Sequence, residues 1–287
     1  MSMVAIRNAQ LRCAACPARE GGICGAAGPF AQSLLFLNSF SVSYDKGETI
    51  LPQGDVAERI GIILGGTVKL VNMAADGRQT IIALLGRTDL IGNPAGACTR
   101  FSYEAASPVR VCMMTRTALV QGMREDSDIA VRLVELISRQ AEEVEEWLTL
   151  FNCRTTLQRL AGYLHALAQV ASRRKSAPDG IVLDIPVCRK DLATFLGTTP
   201  ETLSRNFQRL ARQHILTLVS GSRVIVTNVG ALGRVAGSSG DELQSILCLP
   251  TLPASETGGA FADARSENIV TRRPAGVDHR RASGNRV

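Results

Sequence analysis

Residues 189–216 restrict the fold of this chain more than any other stretch. Leu192, Ala193 and Leu196 give a short helix over 189–196 one apolar face, and Gly197 supplies a tight turn. Thr199 can cap a second helix, and Pro200 suits its first position, where a missing N–H costs nothing. The second helix runs over 201–213, with Leu203, Phe207 and Leu210 at i, i+4 and i+7 facing inward. Glu201, Ser204 and Arg205 share a different, polar face near its N-terminal end. One buried face, with the first turns left free to touch base edges, is what a helix-turn-helix requires. The chemistry suits base reading. Arg205 can donate twice to guanine O6 and N7, Glu201 can accept from cytosine N4 or adenine N6, and Ser204 is small enough to meet thymine. Glu201 and Arg205 could instead form an i,i+4 surface salt bridge. Residues 218–226 read as a hairpin, which makes the expected unit a winged helix-turn-helix.

Charge is distributed in keeping with that unit. The net charge is +6, but residues 151–236 hold 12 basic against 4 acidic side chains, residues 1–150 hold 14 against 16, and residues 237–287 hold 6 of each. A positive segment of this size is the electrostatic footprint of a nucleic-acid-binding module, here double-stranded DNA if the helix-turn-helix reads it, although a solvated basic surface has the same charge.

Ahead of the basic domain the pattern is different. From about residue 40 to 116, short apolar runs alternate with turn signals: Ile60 to Leu64 before Gly65 and Gly66, Val68 to Val71 before Asp76 and Gly77, Thr80 to Leu85 before Gly86. Such spacing predicts a jelly-roll β-barrel. From about residue 118 the period becomes helical. Ala130, Leu133, Ile137, Gln140, Val144, Trp147 and Phe151 recur at 3, 4, 3, 4, 3, 4, with Glu142, Glu143, Glu145 and Glu146 off the seam. This predicts a parallel homodimer helix; the other reading is a helix packed on its own domain. A further helix is expected over 155–172, a loop over 173–180 and a disordered tail over 237–287. The fold class is therefore α+β, in five parts: a cysteine-rich arm (1–28), the β-roll (29–117), a dimerisation helix (118–152), the winged helix-turn-helix (153–236) and the tail (237–287).

No stretch of about 18 apolar residues lacks charge, and the N-terminus has no signal-peptide core, so no membrane contact and a cytoplasmic location are expected. His165, His214 and His279 are scattered and no P-loop occurs, so an enzyme is not expected. Eight cysteines are many for a cytoplasmic chain and point to metal or redox chemistry. Cys13, Cys16 and Cys24 lie close together among glycines and alanines, which lets the chain wrap one metal centre. A four-ligand site lacks one more thiolate, available from Cys98, Cys112, Cys153, Cys188 or Cys248. This spacing alone suits zinc or iron.

The order of parts over residues 10–236 resembles the CRP/FNR superfamily of bacterial regulators. The likeness rests on Lys46-Gly47-Glu48, Gln53-Gly54-Asp55, Leu64-Gly65-Gly66-Thr67-Val68 and Gly86-Arg87-Thr88-Asp89-Leu90-Ile91-Gly92 in front, with Asp191-Leu192-Ala193 and Glu201-Thr202-Leu203-Ser204-Arg205 behind. The cAMP-binding branch pairs Gly-Glu with Arg-Ser or Arg-Thr. Here residues 92–102 lack the carboxylate and Arg100 is followed by Phe101, so no cyclic nucleotide is expected. Glu201-x-x-Ser204-Arg205 looks like the FNR branch, which implies palindromic TTGA half-sites, RNA polymerase as a further partner and an oxygen-labile [4Fe–4S] cluster. The family's distant ligand lies on a strand where the roll finishes, which implies Cys112 as the fourth ligand beside Cys13, Cys16 and Cys24, with Cys98 as its rival. The alternative is a CRP-like regulator of another small ligand with a structural zinc in the arm.

Overall fold

The computed structural model describes residues 15–56, 58–96, 98–151, 155–172 and 180–237. Cys13, Cys153 and Cys248, residues 173–179 of the expected loop and residues 238–287 of the expected tail lie outside the described residues.

Two antiparallel sheets form the roll. The first has the order β1 (Ser39–Tyr44), β8 (Val109–Thr115), β3 (Arg59–Gly65), β6 (Leu90–Ile91); the second has the order β2 (Thr49–Leu51), β7 (Ser102–Ala105), β4 (Val68–Met73), β5 (Gln79–Leu85). Period-two alternation sends Ile63, Val68, Leu85, Val111 and Met113 into the space between the sheets. The β4–β5 hairpin closes at Gly77, whose φ of +82° suits the turn expected at Asp76-Gly77.

Both outer faces of the roll are covered. Over the first sheet, Ile60, Ile62 and Met114 share a core with Ile23 and with Leu35, Leu119, Ile129 and Leu133. Those residues come from a 3₁₀ turn (Ile23–Gly25) and three helices, α1 (Pro29–Leu37), α2 (Arg116–Glu125) and α3 (Ser127–Phe151). Helix α1 falls inside the 29–117 segment assigned to the β-roll, ahead of the first expected strand. The single helix expected over 118–152 is two, because Asp126 is extended between them (φ −148°, ψ 106°) and its Oδ2 accepts from Gly28 N at 2.7 Å.

The DNA-binding unit follows: α4 (Thr156–Ser172), β9 (Ile181–Asp184), α5 (Arg189–Phe195), α6 (Pro200–Arg212), β10 (Leu216–Leu218), β11 (Arg223–Val226) and α7 (Val229–Ala236). The expected hairpin is β10–β11, and β9 adds a third strand in the order β10-β11-β9. Helix α7 closes the unit, with Asn228 capping it by accepting from Ala231 N at 2.8 Å.

The residues of the expected dimer seam are unevenly exposed on the single chain. Leu133 is buried in the core over the first sheet, and Trp147 is buried against the DNA-binding unit. Gln140 is tied to its own roll, accepting from Leu90 N at 3.3 Å and donating to Leu90 O at 3.2 Å. Phe151 stacks on Trp147, and Val144 packs against the roll interior. Ala130, like Val144, is half-buried. Of the expected seam only Ile137 is openly exposed, at 42%. The exposed apolar line runs instead through Val134 (63%), Ile137, Ala141 and Leu148 (55%), with Val131 (58%) extending it. Ile137 belongs to both lines, whereas Leu133, Gln140, Val144, Trp147 and Phe151 of the expected seam lie against the chain's own cores.

Helix α3 is also clamped to the roll by charge. Arg139 donates to Asp89 Oδ1 at 3.0 Å and to Thr88 Oγ1 at 3.2 Å, and lies 3.6 Å from Glu143 Oε1. Asp89 is fully buried and also accepts from Gly86 N at 2.6 Å. Burial pushes Asp89 up to about 6 against the opposing pull of Gly86 N–H and Arg139. Burial, reinforced by the negative charge of Asp89, pushes Glu143 up to about 9.

Two expectations follow. Val134→Glu and Leu148→Glu should shift the protein to monomer in sedimentation velocity while preserving its melting temperature. Trp147→Ala should instead lower stability by about 3–5 kcal/mol; a reversed pattern would restore the first seam. For Glu143, the folded chain holds more protons than the unfolded one between the ordinary 4.5 and about 9, so stability falls as pH rises through that window. Thermal melts from about pH 5 to 9 should show this decline, and Glu143→Gln should flatten it. An unchanged slope in the variant would assign the decline elsewhere.

Candidate functional site

Strand alternation explains the position of Cys112. Val111 and Met113 point into the roll, so Cys112 and Met114 face outward, where the arm lies. Cys112 stands in register between Ser41 of β1 and Ile62 of β3. Cys16, Cys24 and Cys112 line one small apolar cavity of about 40 Å³, with Ile23, Ile62 and Met114 among its walls. The chain around the cysteines is wound tightly. A Cβ on Gly22 would come within 2.6 Å of Ala18 O, and one on Gly25 would collide with Arg19 O, so neither position tolerates a side chain without a shift.

The arm is anchored to α3 beside this cavity. Ile23 is fully buried among Ile129, Leu133 and Leu136, and Arg132 Nη2 donates to Glu20 O at 3.2 Å. Cys13, the remaining member of the expected trio, lies outside the described residues. Among the described residues no group of three or more His, Cys, Asp or Glu side chains is drawn together closely enough to hold a metal ion. Cys98 is exposed, on an isolated bridge to Val56, and does not line the cavity. Cys188 sits at the N-cap of α5 with no side-chain capping bond.

In the reading helix, Thr199 Oγ1 accepts from Thr202 N at 3.2 Å, a cap worth about 1 kcal/mol, and Pro200 opens α6. Leu203, Phe207 and Leu210 are buried, while Glu201, Ser204 and Arg205 are exposed on the other face. Among the described residues no salt bridge joins Glu201 to Arg205; Arg205 Nη2 donates to Thr202 Oγ1 at 3.1 Å instead. The Glu201 carboxyl is held below its ordinary value, first by its own backbone N–H, then by the Thr199 hydroxyl and the charge of Arg205. It is therefore an ionised acceptor at neutral pH. Gly197 takes a φ of +62° in the turn between α5 and α6.

One residue of this surface escaped sequence reasoning. The Arg189 guanidinium lies 3.5 Å above the Phe207 ring, with its Nη1 buried and without a hydrogen-bond partner among the described residues. It borders a groove of about 340 Å³ shared by Ser204, Gln208 and the wing tip at Ser220 and Gly221. A cation beside the reading helix, with donor capacity left over, is suited to an anionic ligand.

Comparison with known proteins gives the same two units. A model of the cyclic nucleotide-binding domain matches residues 41–126, and one of the Crp-like helix-turn-helix domain matches residues 158–235. The chain is 26% identical to the transcriptional activator protein FnrL of Cereibacter sphaeroides over 80% of its own length and 94% of that protein's. It is 30% identical to the nitrogen fixation regulation protein FixK of Azorhizobium caulinodans over 67% of its length and 77% of that protein's. The solved structure of FixK2 from Bradyrhizobium japonicum superposes with a TM-score of 0.62 at 25% identity, covering 70% of this chain and 98% of that one. Among the described residues no helix is long and apolar enough to cross a membrane. With a roll in front, a Crp-like reading unit behind and relatives that span nearly all of this arrangement, the chain belongs to the CRP/FNR family of transcription regulators.

Proposed function

We propose that the chain is an oxygen-responsive regulator of the FNR branch. It binds palindromic TTGA-type sites as a homodimer while a [4Fe–4S] cluster on Cys13, Cys16, Cys24 and Cys112 is intact. The observation that carries this reading is the meeting of arm and strand: Cys16, Cys24 and Cys112, up to 96 positions apart, line one cavity beside the N-terminal half of α3. A donor set of thiols in an apolar pocket, wrapped by glycines, fits such a cluster. The names of FnrL and FixK lend support, as does a roll segment that lacks the carboxylate and Arg-Ser pair of the cAMP branch.

When bound, the cluster supplies an iron centre that oxygen can attack. The chain's own residues do the rest. Cys16, Cys24 and Cys112 would tie the arm to β8 if they held the group; the arm holds α3 through Ile23 and through Arg132, and α3 would offer Val134, Ile137, Ala141 and Leu148 to a second copy. Pairing sets two copies of α6 about one DNA turn apart, with Glu201, Ser204 and Arg205 toward the bases. Arg189, beside them, faces the phosphates, and RNA polymerase meets the bound dimer.

Anaerobically purified protein should be brown, with broad absorbance near about 400 nm and iron and sulfide in equal amounts. Cys13→Ser, Cys16→Ser, Cys24→Ser and Cys112→Ser should each lose this signature. Cys98→Ser and Cys188→Ser should keep it, and all variants should remain folded, since roll and reading unit have their own cores. Colourless protein containing zinc would favour a structural metal and a different effector. Iron retained by Cys112→Ser but lost by Cys98→Ser would move the fourth ligand.

A further inference from the structure

Helix α5 is the part of the reading unit that meets the roll, and it is held at both ends. In its first turn, Asp191 Oδ1 takes the Lys69 ammonium of β4 at 3.2 Å, and the same ammonium lies 3.3 Å from Glu104 of β7. All three side chains are largely withdrawn from water, at 13% exposed for Lys69 and 17% for each carboxylate. Strand register builds this row: Lys69 stands opposite Glu104 on one side and Leu84 on the other. Val71, two residues on and on the same face, stands opposite Ile81. The outer face of the second sheet is therefore an apolar strip of Val71, Ile81 and Leu84 with one cation set in it, and the core of the reading unit continues onto that strip.

Four residues after Asp191, Phe195 falls on the same face of α5 and meets Trp147 at 5.3 Å and Phe151 at 5.1 Å between ring centroids. An ion pair to the roll fixes one end of α5, and the rings of α3 fix the other. A short turn through Gly197 and Thr199 then hands that direction to α6.

We propose that Lys69 is a positioning residue for DNA reading: by holding Asp191 it fixes the angle of α6 to α3, and hence the separation of the two reading helices in the dimer. This rests on the reading of α6 as the base-contacting helix. Burial alone lowers the Lys69 value, but Asp191 and Glu104 outweigh it and leave it above the ordinary 10.5. The Lys69 ammonium therefore stays charged throughout the neutral range, and on the alkaline side the bridge is lost as pH rises through that raised value. Removing Lys69 leaves two carboxylates facing each other in a half-dry site, which drives the roll and α5 apart.

The test uses the full-length, anaerobically prepared protein with two readouts, hydrogen exchange of the α5 amides and affinity for a TTGA palindrome against the same palindrome with one inserted base pair. Lys69→Met and Asp191→Asn should each speed α5 exchange, weaken binding roughly three- to tenfold and narrow the preference for correct spacing. The double variant should be no worse than either single one, and Lys69→Arg should retain most of the parent's behaviour. Glu104→Gln, which alters the roll but spares the Lys69–Asp191 bridge, should leave α5 exchange unchanged. Arg205→Ala should cost about tenfold or more per half-site without touching α5 exchange. Parent-like exchange and spacing preference in Lys69→Met would overturn the proposal. Equal binding by the parent and Arg205→Ala would remove the reading of α6, and the DNA part of the proposal with it. Faster α5 exchange in Lys69→Met would still mark the bridge between the domains.

Discussion

Helix α3 has to satisfy three partners along 25 residues, and the rest of the molecule is arranged by how it does so. Its first half packs Ile129, Leu133 and Leu136 under the cysteine arm. Its middle is clamped to the roll by Arg139 on Asp89 and by Gln140 on the backbone of Leu90. Its end buries Trp147 against Tyr163 and Phe195 of the reading unit. A helix used in this way has only one narrow stripe left for a partner. Helical geometry forces that stripe onto Val134, Ile137, Ala141 and Leu148. In the proposed switch, a change in how the arm grips the first half would be carried along the helix to the aromatic contacts at the far end. That is a physical route from cysteine pocket to reading helix that requires no contact between them.

The reading unit was the most legible part of the sequence, because several local signals agree there. A cap, an N1 proline, a turn glycine and an i, i+4, i+7 apolar set all specify the same helix pair, and the helix bounds follow within a residue or two. The hairpins at Gly77 and in the wing were legible for the same reason. Helix α1 was not: its sequence is apolar on most sides, so it shows no period, and it becomes a helix because Ala31 and Leu35 pack under α2 and α3. The break at Asp126 was hidden too: its side chain accepts from Asp128 N at the start of α3 and from Gly28 N, and the second bond comes from 98 residues away.

The seam shows the limit most sharply. Two heptad phases share Ile137, and apolar spacing rates Leu133 and Trp147 above Val134 and Leu148 because those residues are larger and better buried. The stronger apolar stripe is packed against the chain's own cores, and the weaker one is left exposed on the single chain. The cysteines illustrate the opposite case. Their clustering in the arm was visible in the sequence, but the approach of Cys112 to the cavity lined by Cys16 and Cys24 depends on the β8 alternation and on sheet order, which spacing does not encode. Lys69 and Asp191 are 122 residues apart and carried no sequence signal of their pairing.

The central claim is that the state of the cysteine pocket governs DNA reading, and footprinting one preparation before and after exposure to air tests it most directly. The anaerobic protein should protect both halves of a TTGA palindrome symmetrically and lose protection of both halves together once air has bleached the absorbance near about 400 nm. Protection that persists unchanged after bleaching would contradict it.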